Sequence, residues 1–180
     1  LKNKKTEVPL SISVGRTNSQ DFAAAEAGIQ DYADCLSELI AGNIGDLYTI
    51  NISCPNTFGG EPFTTAELLK RLLDKLFTLP ITKPVLIKMP INLPWAEFKS
   101  LLDVALSFKV NGVIIGNLNK NHHDPTIKDT IPANVKGGIS GKPTWQLSNE
   151  LISQTYSYCG DKLIIIGTGG IFNATDAYEK

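Results

Sequence analysis

A chain of 180 residues has the length of one domain or a part of one, and 42% hydrophobic with 19% charged residues suits a buried core rather than disorder or a fibre. Lys and Arg total 17 against 18 Asp and Glu, a net charge of −1 with no basic block, so nucleic-acid binding and attraction to anionic lipid have no electrostatic support. Three cysteines make a disulfide framework a poor reading and point to a reducing compartment, and no apolar run nears the ~20 residues of a membrane span; the sequence as it stands reads as soluble.

The first apolar run covers residues 9–14 and leads into Phe22, Ala25, Ile29, Tyr32, Leu36 and Leu39, spaced at the period of one helical face. A second run, 46–52, precedes Thr64-Thr65-Ala66-Glu67, which reads as a capping box opening a helix with Leu69, Leu72, Leu73 and Leu76 on its apolar side. After a third run, 84–89, Pro94 fits the first helical position before the stripe Trp95, Phe98, Leu101, Leu102 and Ala105. The fourth run, 111–115, is followed by a polar stretch, 116–142, of the length that functional loops have. A helix over 144–158 and a fifth run over 162–166 complete the series.

Several runs are nearly continuous (VLIK, GVIIG, LIIIG), as in strands covered on both faces of a parallel sheet. Strands alternating with helices demand right-handed crossovers, so the fold class is α/β. Periodicity does not separate an open sheet from a closed one. Five units fall short of the eight, and roughly 250 residues, of a (β/α)8 barrel.

In parallel α/β folds the groups that do chemistry gather at the carboxyl ends of strands. The second run ends in Asn51-Ile52-Ser53-Cys54-Pro55-Asn56, where two amides can read an amide-bearing ring and the Cys54 thiol can serve as a base. The same residues also read as an Asn-Pro-Asn turn with an incidental cysteine. Cys35 and Cys159 lie on expected helices and read as buried structural residues. Lys88 closes an apolar strand, which suits a cation meeting an anionic group, or a surface lysine with a buried stem. Asn117 and Asn119 follow the fourth run. Glycines at 137, 138 and 141, and at 167, 169 and 170, flank a helix and a strand end as in a phosphate grip. His122-His123 has no partner at metal-ligand spacing, and no metal site is expected.

Taken in order, Asn51-Ile-Ser-Cys-Pro-Asn56, Ile87-Lys88, Gly112-Val-Ile-Ile-Gly-Asn117, Gly137-Gly-Ile-Ser-Gly-Lys-Pro143 and Ile165-Ile-Gly-Thr-Gly-Gly-Ile171 resemble the dihydroorotate dehydrogenase family over essentially the whole chain. The resemblance implies an FMN-binding (β/α)8 TIM barrel that oxidises dihydroorotate to orotate in pyrimidine synthesis. This chain would be one partial barrel domain over 1–180, spanning strands three to seven without the first two or the eighth. Cys54 would be the catalytic base. Asn51, Asn56, Asn117 and Leu118 would bind substrate; Asn51, Lys88, Gly116, Gly141, Gly169 and Gly170 would bind FMN.

The resemblance also implies an electron acceptor as second partner and is compatible with a homodimer. Cys54 and the run Gly167-Thr168-Gly169-Gly170 are similar to soluble, fumarate- or NAD-linked members, whereas Ser140-Gly141-Lys142-Pro143 and Asp31-Tyr32 are similar to quinone-linked ones. The expected location is cytoplasmic, with membrane association only through segments outside this sequence. Ser13 stands where quinone-linked members have an Asn, Leu118 where a Ser or Thr usually touches substrate, and the loop Phe58-Gly59-Gly60-Glu61 lacks its usual basic residue. A flavin barrel acting on another dihydropyrimidine, or a catalytically silent barrel fragment, are the alternatives.

Overall fold

The computed structural model describes residues 7–54, 58–135 and 137–180. Five strands, β1 (Ser11–Gly15), β2 (Leu47–Asn51), β3 (Val85–Met89), β4 (Gly112–Ile115) and β5 (Ile164–Gly167), form one parallel sheet in chain order. The helices α1 (Ala25–Ala41), α2 (Ala66–Leu76), α3 (Trp95–Ser107) and α4 (Trp145–Cys159) make the crossovers, and α5 (Ala174–Glu179) follows β5. Each apolar run becomes one strand, and the α/β expectation holds.

Alternate strand residues face opposite ways. Val14, Ile50, Ile87, Met89, Val113 and Ile115 join helix residues such as Leu36, Leu72 and Leu102 in one core. The intervening residues, Ser13, Thr49, Asn51, Lys88, Ile114 and Ile166, occupy the face away from the helices. α2 shows what drives the layer: Leu69, Leu72, Leu73 and Leu76 are each at most 1% exposed, and burial of such a side chain is worth roughly 1.5–3 kcal/mol.

Four local expectations shift. Thr65, not Thr64, caps α2, its Oγ1 accepting from Leu68 N at 3.4 Å. Thr64 Oγ1 instead donates to Glu61 O at 2.7 Å within a short 3-10 turn, Pro62–Thr64, so Glu67 falls one position short of a capping box. Pro94 caps α3 rather than opening it, and Phe22 belongs to a separate 3-10 turn, Gln20–Phe22. Cys35 is exposed, because it lies one step, about 100°, around α1 from the buried Leu36; Cys159, at the end of α4, is buried as expected.

Among the described residues the sheet has no strand beyond β1 or β5, and on its helix-free face Ile164 is 62% and Ile166 39% exposed. Unpaired edges beside apolar side chains favour association. As a separate polypeptide these 180 residues are expected to self-associate in light scattering, and Ile166→Lys to shift them toward monomer; a monodisperse monomer from the parental sequence would contradict this.

Candidate active site

Register across the sheet aligns Gly15, Asn51, Lys88, Ile114 and Ile166 in one row at the carboxyl ends of the strands. Neighbouring strands lie about 4.8 Å apart, so Asn51 and Lys88 stand side by side on the helix-free face. Lys88 is half-buried, and among the described residues its ammonium makes no ion pair or hydrogen bond. A cation so placed suits an electron-rich or anionic partner.

The loop after β2 is tied down residue by residue. Tyr32, buried on α1 and packed edge-on against Phe63 at 5.5 Å, donates its hydroxyl to Asn51 O at 2.6 Å. Burial pushes the Tyr32 hydroxyl far above its ordinary pKa, so it stays a donor. Ser53 is fully buried, and its Oγ donates to Lys88 O at 3.1 Å. Asn117, from the end of β4, directs its Nδ2 at Ser53 Oγ (2.6 Å) and at Ser53 O. Both Asn117 amide protons therefore serve the neighbouring loop, leaving Oδ1, which accepts from Leu118 N at 2.9 Å. Cys54 follows directly and is half-buried; the cavity that it lines with Arg16, Tyr32 and Asn51 is about 10 Å³, too small for a ligand. Asn56 lies outside the described residues.

Arg16 is a residue that sequence reasoning missed. It follows β1, is 8% exposed, and directs its guanidinium at the carbonyls of Phe22 (3.4 Å), Ala23 (3.2 Å), Gly60 (2.8 Å) and Phe58. One fork thus joins the β1 loop to the far part of the β2 loop. A cation directly after a strand-end glycine was its only signal.

Asn119, read from the sequence only as an amide after the fourth run, is held from all sides. It is fully buried: its Oδ1 accepts from Asn92 Nδ2 (3.0 Å) and Asn121 N (2.9 Å), and its Nδ2 donates to Asp124 Oδ2 (2.8 Å) and Pro143 O (3.2 Å). Its backbone pairs with Ile139 across an isolated bridge. Every bond that this amide can make goes to protein, so Asn119 organises the 116–141 loop. Asn119→Ala is expected to cost about 1–3 kcal/mol for each buried partner left unsatisfied. Denaturant titration would read it, and an unchanged midpoint would remove Asn119 from this role.

The glycine clusters come together at the first turn of α4. Gly141, Gly169 and Gly170 have φ of +84°, +89° and +73°, and a Cβ on Gly170 would sit 2.5 Å from Trp145 Cβ. A Cβ on Gly116 would meet Thr168 O at 2.3 Å. Tight packing between loops therefore requires these glycines whether or not a ligand approaches them. Lys142, next to Gly141, pairs with Asp176 at 3.3 Å, so its charge is already matched. Leu118 is half-buried, its Cβ 2.4 Å from where a Gly138 side chain would begin.

The whole chain, residues 1–180, matches the family model described as Dihydroorotate dehydrogenase. The chain belongs to the dihydroorotate dehydrogenase family. Relatives named Dihydroorotate dehydrogenase (quinone) include that of Trichodesmium erythraeum, 32% identical, and that of Mycolicibacterium smegmatis, 29% identical; each alignment takes in 100% of this chain but 48% and 49% of the relative. The chain thus spans about half the length of the curated dihydroorotate dehydrogenases it matches. A ligand-free DHODH structure from Eimeria tenella superposes with a TM-score of 0.79 at 22% identity, covering 97% of this chain and 51% of that one, which makes the five-stranded sheet part of the same α/β barrel fold. Among the described residues no helix is long and apolar enough to cross a membrane, and no group of three or more His, Cys, Asp or Glu is placed to hold a metal ion.

Proposed function

We propose that this chain is the central five β-α units, strands three to seven, of an FMN-dependent barrel that oxidises dihydroorotate to orotate in pyrimidine synthesis and passes the electrons to a quinone. The observation that carries the reading is the convergence of Asn51, Lys88, Ser53-Cys54 and Asn117 at the carboxyl ends of three adjacent strands. The quinone rests on the names of the relatives, against which Cys54 stands as the feature of the soluble class. A quinone acceptor would associate the whole protein with a membrane.

The residues present fit FMN on two counts: Lys88 is a half-buried cation with no partner among the described residues, and Gly141, Gly169 and Gly170 bring backbone to the first turn of a fifteen-residue helix, where N–H groups favour phosphate. When bound, FMN supplies a two-electron acceptor. Cys54 as thiolate would take the C5 proton of dihydroorotate as C6 is oxidised. Asn51, with Asn56, would hold the amide and carboxylate edge, and Asn117 would hold Ser53 and with it the base. Leu118 would give that edge an apolar neighbour, the one observation favouring a different dihydropyrimidine.

The test uses full-length protein. It should be yellow, should bleach anaerobically with dihydroorotate and not with dihydrouracil, and should be reoxidised by a short-chain ubiquinone faster than by fumarate. A colourless protein would overturn the flavin, bleaching by dihydrouracil alone the substrate, and preference for fumarate the acceptor.

A further inference from the structure

Glu61 and Lys120 sit on different strand-end loops, after β2 and after β4, and neither enters the chemistry above. Their side chains meet as an ion pair between Lys120 Nζ and Glu61 Oε2. The pair is lopsided: the Glu61 side chain is 8% exposed and that of Lys120 44%. The second carboxylate oxygen, Oε1, is buried and accepts no hydrogen bond among the described residues. A carboxylate at that depth depends on its one partner, because burying a charge without compensation is strongly unfavourable. Both residues are fixed through their backbones as well. Glu61 O accepts from Thr64 N (3.2 Å) and Thr64 Oγ1 (2.7 Å), and Lys120 N donates to Asn92 Oδ1 (2.8 Å) beside the buried Asn119.

Location decides what the pair does. Asn117 ties the near end of the β2 loop, at Ser53, to the β4 loop. Lys120 ties the far end, at Glu61, to that same loop three residues on. Cys54 adjoins the first tie and lies on the span between the two. We infer that Glu61 and Lys120 are positioning residues, an outer clasp that fixes the Cys54-bearing loop against the Asn117-bearing loop. Its catalytic meaning rests on the dihydroorotate reading; the clasp itself does not.

The test is a double-mutant cycle in the full-length, flavin-loaded protein. Glu61→Ala and Lys120→Met remove the tie from opposite sides, and a reacting group displaced by about 1 Å loses rate on the order of 10²-fold. Each is expected to slow flavin reduction per bound flavin at saturating dihydroorotate by about tenfold or more, with KM changed less than about threefold. The double variant should be no slower than the worse single, because the two share one interaction. Glu61→Gln and Lys120→Arg, which can still bond, should stay within about threefold of the parent. Lys120→Met leaves a buried charge unpaired and is the variant at risk of not folding; Glu61→Ala leaves none, and it decides alone if necessary.

Amide hydrogen exchange over residues 58–64, measured without substrate, should rise in Glu61→Ala and remain parental in Glu61→Gln. Parental rate and exchange in Glu61→Ala overturn the clasp, as does an additive double variant, or a loss confined to flavin content and thermal midpoint with the rate per flavin unchanged. If exchange responds as expected while the parent itself is not reduced by dihydroorotate, the clasp stands and the substrate reading fails.

Discussion

Replacing Cys54 with alanine in the full-length protein is expected to slow flavin reduction by dihydroorotate about 10²- to 10⁴-fold, the usual contribution of a positioned general base, while flavin content stays close to parental. The argument is geometric. Cys54 follows Ser53, which is fully buried and held from two strand ends, by Lys88 O and by the Asn117 amide, so the thiol is delivered by a fixed loop. Ser53 is held through its own Oγ and carbonyl oxygen, so truncation at Cys54 should remove the base and leave those ties in place. Cys54→Ser should retain part of the activity with an optimum at higher pH, because a hydroxyl is a weaker acid than a thiol and yields its conjugate base less readily. Stopped-flow reduction across a pH series separates these outcomes. An alanine variant reduced at the parental rate would take Cys54 out of the mechanism and return the loop to an ordinary turn.

Lys88→Met is expected to lower the flavin reduction potential by tens of millivolts and to slow reduction, with folding preserved. Lys88 stands beside Asn51 on the helix-free face, half-buried and without a described ionic partner. Reduction adds negative charge at the flavin's pyrimidine edge, and a fixed cation there favours the reduced form over the oxidised one, the differential binding that lowers a barrier. Methionine keeps the apolar stem and removes the charge. A hydrogen bond to a charged group is worth about 1.5–3 kcal/mol, and for a two-electron couple ~30 mV corresponds to about 1.4 kcal/mol, which sets the size of the shift. Spectroelectrochemistry reads it directly. An unchanged potential would place Lys88 away from the flavin while leaving the barrel and Cys54 untouched.

The strands were legible because a strand buried on both faces writes itself as an unbroken apolar run, as in Val85-Leu86-Ile87 and Gly112-Val113-Ile114-Ile115. Helix faces were legible where leucines recur at the helical period, and helix starts slipped by one residue where two adjacent threonines could each have capped. Cys35 was misjudged because the reading followed residue type and not its angle, one step off the stripe that carries Tyr32 and Leu36. The six-residue α5 was not anticipated; its apolar content is too small to register, and its stabilising features are local, with Asn173 Oδ1 accepting from Asp176 N at 2.9 Å. In the site, residues at strand ends could be named, but what they bond could not. Arg16, Asn119, Glu61 and Lys120 act through partners as far as 59 positions away, and only folding brings those partners to one rim.

Strand order that follows chain order has a kinetic consequence. Every strand pairs with the next one made, so the sheet can grow by addition at one edge, each step closing a single loop rather than waiting for the chain's far end. The loops are unequal: the register partners Leu86 and Gly112 are 26 positions apart, Gly112 and Ile164 52. Doubling a loop adds only about 0.6 kcal/mol of closure entropy, so β5 joins late but at small cost. What delays it further is that the 116–141 segment must first be organised around Asn119, a polar centre that gives no stability until all its partners are present. Growth from β1 toward β5 would thus bring Lys88 and Cys54 into place early and assemble the glycine-rich end around Gly141, Gly169 and Gly170 last.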